Sequence, residues 1–508
     1  MTRNVVLIAG GGASGALVAT NLLKRSPGTR IIVVEPALSV GRGMAYSTTC
    51  REHLLNVAAG RMSAFPDDPR HFSRWLAARG YTQFTERSFV PRMIYGEYLE
   101  WILNEARENA EFGRFTHLRA RVAGFRERAG RIALELADGR SVEGDQLVLA
   151  LGNAAPAPWP GLSEDATESG NYFGSAWTPG ATAPRDVDEA VLLIGTGLTA
   201  VDAVLALRYN RHRGPIVMVS RRGLLPKVHR LFDCAKVCCQ PAGSALELLR
   251  NMRASAAEAN VLHENWRVAV DAIREQTNDL WDALPLTEQR RFQRHLRAYW
   301  DVHRHRMAPE IAAKMKALQD SGALRAMAGR VGRIESSRQG MTVTVTPRGG
   351  REARRFEVGR VINCTGAEPR LSRLPNPLVQ AMLREGVMVE HPLRTGVLVN
   401  RDGALIAKDG SISDRVYAMG PLRIGTLIES VAIPEIRRQA REVADLLATR
   451  RSQPILQKDQ VQVASEFVAD LPEVRHALEP QALMETQRRG ILRVHRSQHD
   501  VLTGQACP

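Results

Sequence analysis

A chain of 508 residues, 44% hydrophobic and 24% charged, can bury a large core and has the length of two or three domains. It holds no low-complexity tract and no apolar run of transmembrane length, which excludes disordered, fibrous and membrane-spanning classes. The net charge of +15 is spread along the sequence, so an Arg-rich protein handling anionic small molecules explains it as well as nucleic-acid binding does, and six irregularly placed cysteines point to a reducing cytoplasm over a disulfide framework.

Residues 5–9 form an apolar run suited to a buried parallel strand, followed directly by Gly10, Gly11, Gly12, Ala13, Ser14 and Gly15. In this GxGxxG order Gly10 permits a tight turn, Gly12 lets backbone approach a pyrophosphate, and Gly15 lets the next helix pack close to the strand. That helix is expected over 15–25, with Lys24 and Arg25 at its negative end before Pro27 and Gly28. A second strand over 31–34 ends at Glu35, where a carboxylate can accept hydrogen bonds from an adenosine ribose.

Polar, glycine-bearing segments follow: Gly41 and Gly43, then His53 to Val57 with Asn56, then Arg61, Met62 and on to Pro69. Loops past the carboxyl ends of parallel strands are where ligands sit in such sheets. Helices are expected over 71–78 and 95–109, and strands over 131–136 and 146–151, with Asp138 and Gly139 as the hairpin turn between them. The second of these runs ends at Gly152, and Pro156, Pro158, Pro160 and Gly161 mark a boundary.

A second strand–turn–helix–strand unit starts with the apolar run 191–194 and continues through Gly195, Gly197 and Ala200, the GxGxxA variant. Its returning strand, 216–220, ends in Ser220, Arg221 and Arg222 instead of an acid. Serine and arginine can hydrogen-bond and neutralise a 2′-phosphate that a carboxylate would repel, so this unit is assigned NADP(H). Residues 241–328 read as a helical insertion whose segment 290–306 interleaves basic and aromatic side chains, including His303, His305 and Arg306. Strands are expected over 341–346, over 361–366 ending at Gly366, and over 416–420 ending at Gly420; a helix runs from about Pro434 to Thr449, and the last sixty residues form a polar tail.

Two such units, one with an acid and one with arginines, suggest FAD at the first and a diffusing NADPH at the second, with hydride passing between them. On Gly10–Gly15, 53–57, 61–66, 193–202, 300–309 and 420–423 the chain resembles the two-dinucleotide-binding flavoproteins, and within them a bacterial FAD/NAD(P)-binding family that includes FAD-dependent urate hydroxylase. The resemblance covers about residues 1–450. It implies an α/β fold of two Rossmann-like domains: FAD-binding residues 1–155 and 355–450 interrupted by an NAD(P) domain over 186–350, with a tail over 451–508. It also implies that Gly152 and Gly366 end the strands joining the domains and that the segment after Gly420 lies near the flavin, although Pro421 stands where many flavoproteins carry Asp.

The expected activity is that of an NADPH-using flavin monooxygenase acting with molecular oxygen on a small polar, urate-like substrate, with His53, Arg61 and Arg423 as groups for anion or proton handling. Electron transfer to another acceptor without oxygen insertion, and nucleotide binding without turnover, are the alternatives. Dithiol chemistry is disfavoured: Cys234, Cys238 and Cys239, spaced CxxxCC, lie beyond the second dinucleotide unit, Cys364 sits in a core strand, and no metal or membrane partner is expected.

Overall fold

The computed structural model describes residues 4–128, 130–230, 241–263, 265–350 and 352–449. Cys234, Cys238, Cys239 and the tail expected over 451–508 lie outside the described residues.

In chain order the strands are β1 (Asn4–Ala9), β2 (Thr29–Val34), β3 (Phe115–Leu118), β4 (Val122–Arg128), β5 (Arg131–Leu136), β6 (Ser141–Gly144), β7 (Gln146–Leu149) and β8 (Tyr172–Phe173). They continue as β9 (Val191–Ile194), β10 (Ile216–Ser220), β11 (Leu324–Ser337), β12 (Gly340–Pro347), β13 (Arg354–Val358), β14 (Arg360–Asn363), β15 (Ala404–Ile406) and β16 (Ile412–Ala418). One sheet has the order β15-β16-β7-β1-β2-β3, and a second β13-β12-β11-β10-β9-β14-β8. Strands β16, β7, β1, β2 and β3 run parallel, as do β11, β10, β9, β14 and β8.

The apolar runs read from the sequence become central strands because both faces of each sheet are covered. Along β1, Val6 and Ile8 join the core beneath the helices Ala13–Arg25, Arg92–Glu108 and Ile433–Thr449, whereas Leu7 and Ala9 join the opposite core with Phe125, Ile132 and Leu134 of the small antiparallel sheet β4-β5-β6. Strand β9 repeats this, with Val191 and Leu193 on one side and Leu192 and Ile194 on the other. A period of two with both sides apolar is the signature of a fully buried parallel strand.

Buried Arg114 closes the first unit from below. Its guanidinium donates to the carbonyls of Leu22, Leu23, Ser26 and Thr29, satisfying acceptors at the carboxyl end of the helix Ala13–Arg25.

Several boundaries differ from those expected. The turn at Asp138 and Gly139 joins β5 to β6, not to residues 146–151; β7 instead runs parallel to β1. The break falls at Asp145, whose carboxylate accepts from Val5 N, so the chain changes sheets there. Strand β14 and Cys364 belong with the second sheet although they fall in the stretch 355–450, and that stretch rejoins the first sheet only at β15 and β16. Helices of the insertion run from Ala245 to Asp320, and Leu324 already begins β11.

Candidate functional site: two glycine cradles and the seam between them

At the end of β1, Gly10 adopts φ +103°. A Cβ there would lie 2.4 Å from Ala150 O, and one on Gly15 would lie 2.0 Å from Gly10 O, so strand, turn and helix are in contact that only glycine allows. Gly12 precedes the helix Ala13–Arg25 with no side chain capping its first N–H groups, which leaves them to an outside acceptor. Gly43 closes on Gly12, its Cβ position only 2.9 Å from Gly12 Cα. From the far end of the sequence Gly420, at φ +60°, brings its Cβ position within 3.0 Å of Ser14 Oγ, and its N–H donates to Gln439 Oε1 at 3.0 Å. The structure thus gathers Gly10, Gly12, Ser14, Gly15, Gly43 and Gly420 into one cradle.

Glu35 reaches back to this turn. Its Oε2 accepts from Gly11 N at 2.8 Å and its Oε1 from Ala37 N at 2.9 Å. A carboxylate offers about four acceptor sites, so it can hold the loop and still meet a sugar hydroxyl. Asn56 is half-buried, while the Met62 side chain is packed into the first core and offers no exposed surface to a ligand.

The second cradle repeats the first. Gly195, at φ +123°, places its Cβ position 2.5 Å from Cys364 O, as Gly10 does with Ala150. Gly197 precedes the helix Leu198–Tyr209 without a capping side chain and has open space at its Cβ position; Ala200 is buried in the helix's first turn. Gly152 and Gly366, at φ +69° and +89°, follow β7 and β14 where the chain leaves each sheet.

Ser220 departs from its expected role. Thr196 Oγ1 donates to Leu224 O at 2.6 Å, so Ser220 Oγ gives its hydrogen to Thr196 Oγ1 at 2.8 Å and accepts from Gly223 N at 3.0 Å. Its single proton is committed to the loop, and cationic recognition falls to Arg221, which is exposed, and Arg222, whose guanidinium lies 5.3 Å over the Tyr299 ring.

Two of the three expected proton- or anion-handling groups are buried and bonded to the protein's own backbone. His53 is buried at the seam: its Nε2 donates to Asp202 O at 2.9 Å, which leaves Nδ1 to accept from Thr48 Oγ1 at 2.7 Å, and its ring meets Trp177 edge-on. Burial holds its pKa below the usual histidine range, so it is a neutral ring with both nitrogens engaged. Arg423 is buried too, donating from Nη2 to Arg401 O at 2.6 Å, and burial lowers its pKa to about 10. Arg61 remains exposed at the end of the short turn Ala59–Arg61.

The seam also holds a pair that sequence reasoning missed. Arg92 Nη1 donates to Asp202 Oδ2 at 2.7 Å and Nη2 to Oδ1 at 3.2 Å, while Nε donates to Leu54 O. Asp202 is the one polar residue in the buried run 200–207 of the helix Leu198–Tyr209, and an acid in such a run is a signal that a partner must exist. Further along, the insertion grips the segment after Gly420: Trp281 Nε1 donates to Gly425 O at 3.0 Å, Trp300 Nε1 to Glu429 Oε1 at 3.3 Å, and Arg274 is bidentate to Glu435. Of the expected pocket-shaping residues, Arg306 is buried in an ion pair with Asp271, and burial pushes the His305 pKa down to about 4.

Residues 7–154 match the family described as FAD-NAD(P)-binding. YdhS, an uncharacterized Escherichia coli (strain K12) protein, is 24% identical over 304 residues, or 53% of this chain and 54% of YdhS. The chain therefore matches about half the length of this curated relative. Among solved structures, L-lysine 6-monooxygenase from Pseudomonas syringae is similar over 88% of this chain and all of its own, with TM-score 0.61 and 18% identity. Ornithine hydroxylase from Pseudomonas aeruginosa is similar over 88% and 99%, with TM-score 0.60 and 15% identity. Bacillithiol disulfide reductase from Staphylococcus aureus is similar over 89% and 100%, with TM-score 0.54 and 13% identity. These likenesses identify the two-dinucleotide-binding flavoprotein fold, and because that fold carries both hydroxylases and a disulfide reductase, the chemistry has to be argued from the site. No helix among the described residues is long and apolar enough to cross a membrane.

Proposed function

We propose that this chain is an FAD-dependent, NADPH-using monooxygenase. The observation that carries the reading is the pair of cradles built alike but charged differently, Glu35 at the first and Arg221 and Arg222 at the second, joined through Arg92 and Asp202. The open N–H groups after Gly12 and Gly197 fit pyrophosphates, and the close approach of Gly12 to Gly43 and of Ser14 to Gly420 fits a floor over which a dinucleotide lies without side chains in its way.

When bound, the flavin would accept hydride from the nicotinamide and deliver the electrons to molecular oxygen, one atom entering the substrate and the other leaving as water. The chain's own residues perform the rest. Glu35 orients the ribose at the first cradle, and Arg221 with Arg222 neutralises a 2′-phosphate at the second. The seam of His53, Arg92 and Asp202 holds the two turns in register, and the insertion, anchored by Trp281 and Trp300, keeps water from the segment after Gly420. The hydroxylases of similar fold support oxygen insertion. Among the described residues Cys50 and Cys364 are single buried thiols, and burial raises the pKa of both, which opposes thiolate chemistry there.

The test is to purify the protein with its flavin, reduce it anaerobically with NADPH, and follow oxygen uptake and oxygen-18 incorporation from labelled oxygen on addition of candidate substrates. Flavin bleaching by NADPH followed by label in an organic product is the expected result. Rapid transfer to a quinone with no label in any product favours the simple acceptor reductase, and a colourless protein that cannot be reconstituted overturns the reading.

A further inference from the structure

The helices Ala245–His263, Arg267–Ala272, Thr277–Asp282, Leu286–His295 and Arg297–Arg304 line an open cavity of about 590 Å³. That volume falls within the roughly 300–1,000 Å³ of small-molecule sites. Leu249, Met252, Val270, Trp281, Phe292 and Trp300 are among its walls. The polar atoms of several wall residues are already engaged elsewhere: Trp281 and Trp300 spend their N–H groups on Gly425 O and Glu429 Oε1, and Thr277 Oγ1 donates to Ile273 O at 2.9 Å. Those residues offer a ligand their carbon surfaces.

Two connections tie this cavity to the cradles. Ile428, eight positions after the glycine that meets Ser14, is part of its wall. Tyr299, also lining it, carries the guanidinium of Arg222 on its ring. The cavity is thus bordered by a segment leading from the first cradle and by a residue touching the second. Its titratable lining groups are Arg253, exposed, Tyr299, and His303, whose Nδ1 donates to Tyr299 O at 2.8 Å and leaves Nε2 an acceptor.

We infer that this cavity is the substrate site and that its ligand is an amphipathic organic acid: an aliphatic or aromatic body lodged among the tryptophans and leucines, with one carboxylate at Arg253. The inference rests on the monooxygenase reading for the word substrate, while the binding itself does not depend on turnover. It replaces the small polar substrate expected from the sequence. A urate-like ring carries N–H and C=O groups around its whole edge, whereas the Trp281, Trp300 and Thr277 donors are engaged elsewhere; those of its groups that face this carbon wall would lose water without replacement partners, which is unfavourable.

The inference is tested by calorimetric titration of the flavin-loaded protein with octanoate, decanoate, dodecanoate, dodecan-1-ol, 1-pyrenebutyrate and urate, alongside a separate measurement of flavin bleaching by NADPH. Binding of dodecanoate or pyrenebutyrate, strengthened about fourfold per added methylene along the aliphatic series until the cavity is full, is the expected result. Arg253→Glu should weaken dodecanoate about tenfold and leave dodecan-1-ol unchanged; equal effects on acid and alcohol would overturn the carboxylate assignment. Ala256→Trp, which adds bulk to the wall, should abolish binding of the apolar acids, and since that variant could fail through misfolding, the methylene series in the unaltered protein decides independently. Tight urate binding with no response to the acids would overturn the proposal. If the acids bind but NADPH leaves the flavin oxidised, the functional reading fails and the site stands. Bleaching without acid binding removes the site and leaves the functional reading intact.

Discussion

Arg92 and Asp202, 110 positions apart in sequence, meet through two hydrogen bonds at the seam between the cradles, and the same Asp202 supplies the carbonyl that holds His53. The helix Arg92–Glu108 packs on the first sheet and the helix Leu198–Tyr209 on the second, so this pair joins one half of the fold to the other.

Removing either partner leaves a largely sheltered charge without its counter-ion. Arg92→Ala and Asp202→Ala should each lower stability by about 3–5 kcal/mol, and the double variant should lose less than their sum. Denaturant unfolding of the four proteins measures this, and strictly additive losses would show that the pair is not coupled. Transfer from NADPH to flavin should slow in both single variants, because the seam sets the relation of the two cradles.

The glycines separate into two kinds. Gly15→Ala places a methyl 2.0 Å from Gly10 O and should yield an unstable protein that fails to retain flavin. Gly197→Ala meets open space in a conformation alanine adopts readily, so the melting temperature should hold while NADPH affinity falls at least tenfold. A large loss of stability in Gly197→Ala, or unchanged affinity, would contradict the assignment of that turn to a pyrophosphate.

Charge at the second cradle should decide the nicotinamide cofactor. Replacing Arg221 and Arg222 together by Asp should cost about 10–150-fold in NADPH affinity, the range of a charge-assisted hydrogen bond, with little change for NADH. Parallel measurements of flavin reduction with the two nucleotides give the ratio, and equal losses for both would remove the 2′-phosphate from the account.

His391 provides a pH prediction. Burial lowers its pKa to about 4, and its Nδ1 accepts from Leu393 N at 3.2 Å, a bond that protonation destroys. The unfolded chain, with an ordinary histidine pKa of about 6.5, binds more protons than the folded one between about pH 4 and 6.5. Stability therefore rises with pH across that window and is lost as pH falls through it. His391→Asn, whose amide oxygen can accept the same bond, should lower the melting temperature at pH 7.5 yet show a smaller further drop by pH 5. His212, His229 and His305 are depressed to about 4 as well, so the difference between the two proteins is the informative quantity.

Local pattern made the cradles readable in advance. An apolar run, glycines at fixed offsets, a helix and an acidic or basic strand end are all neighbours in sequence, so β1, β2, β9 and β10 could be placed from spacing alone. What depended on distant partners could not. Nothing near Gln146 announced that it begins a central strand beside β1, because its run looks like the second arm of a hairpin until Asp145 is seen to bond Val5. Ser220 looked available because its acceptor, Thr196, lies across the turn, and the Arg423 guanidinium looked wholly free because Arg401, whose carbonyl binds it, comes from another loop. The carbon-walled cavity was hidden for a related reason: Trp281 and Trp300 look polar-tipped in sequence until Gly425 and Glu429 take their N–H groups.

The ion pairs that bind the insertion to the helix Ile433–Thr449 and the turn before it are sheltered. Side-chain exposure is 13% and 5% for Arg274 and Glu435, and 7% and 2% for Arg304 and Glu429, against 74% and 61% for the surface pair Lys316 and Asp320. Dissolved ions screen exposed charges over a Debye length of about 8 Å at physiological strength and about 3 Å at 1 M, but reach enclosed pairs far less. In concentrated brine, then, the outer charges should fall silent while this inner clasp keeps its hold, and the join between the insertion and the helix Ile433–Thr449 should be among the last parts of the molecule to feel the salt.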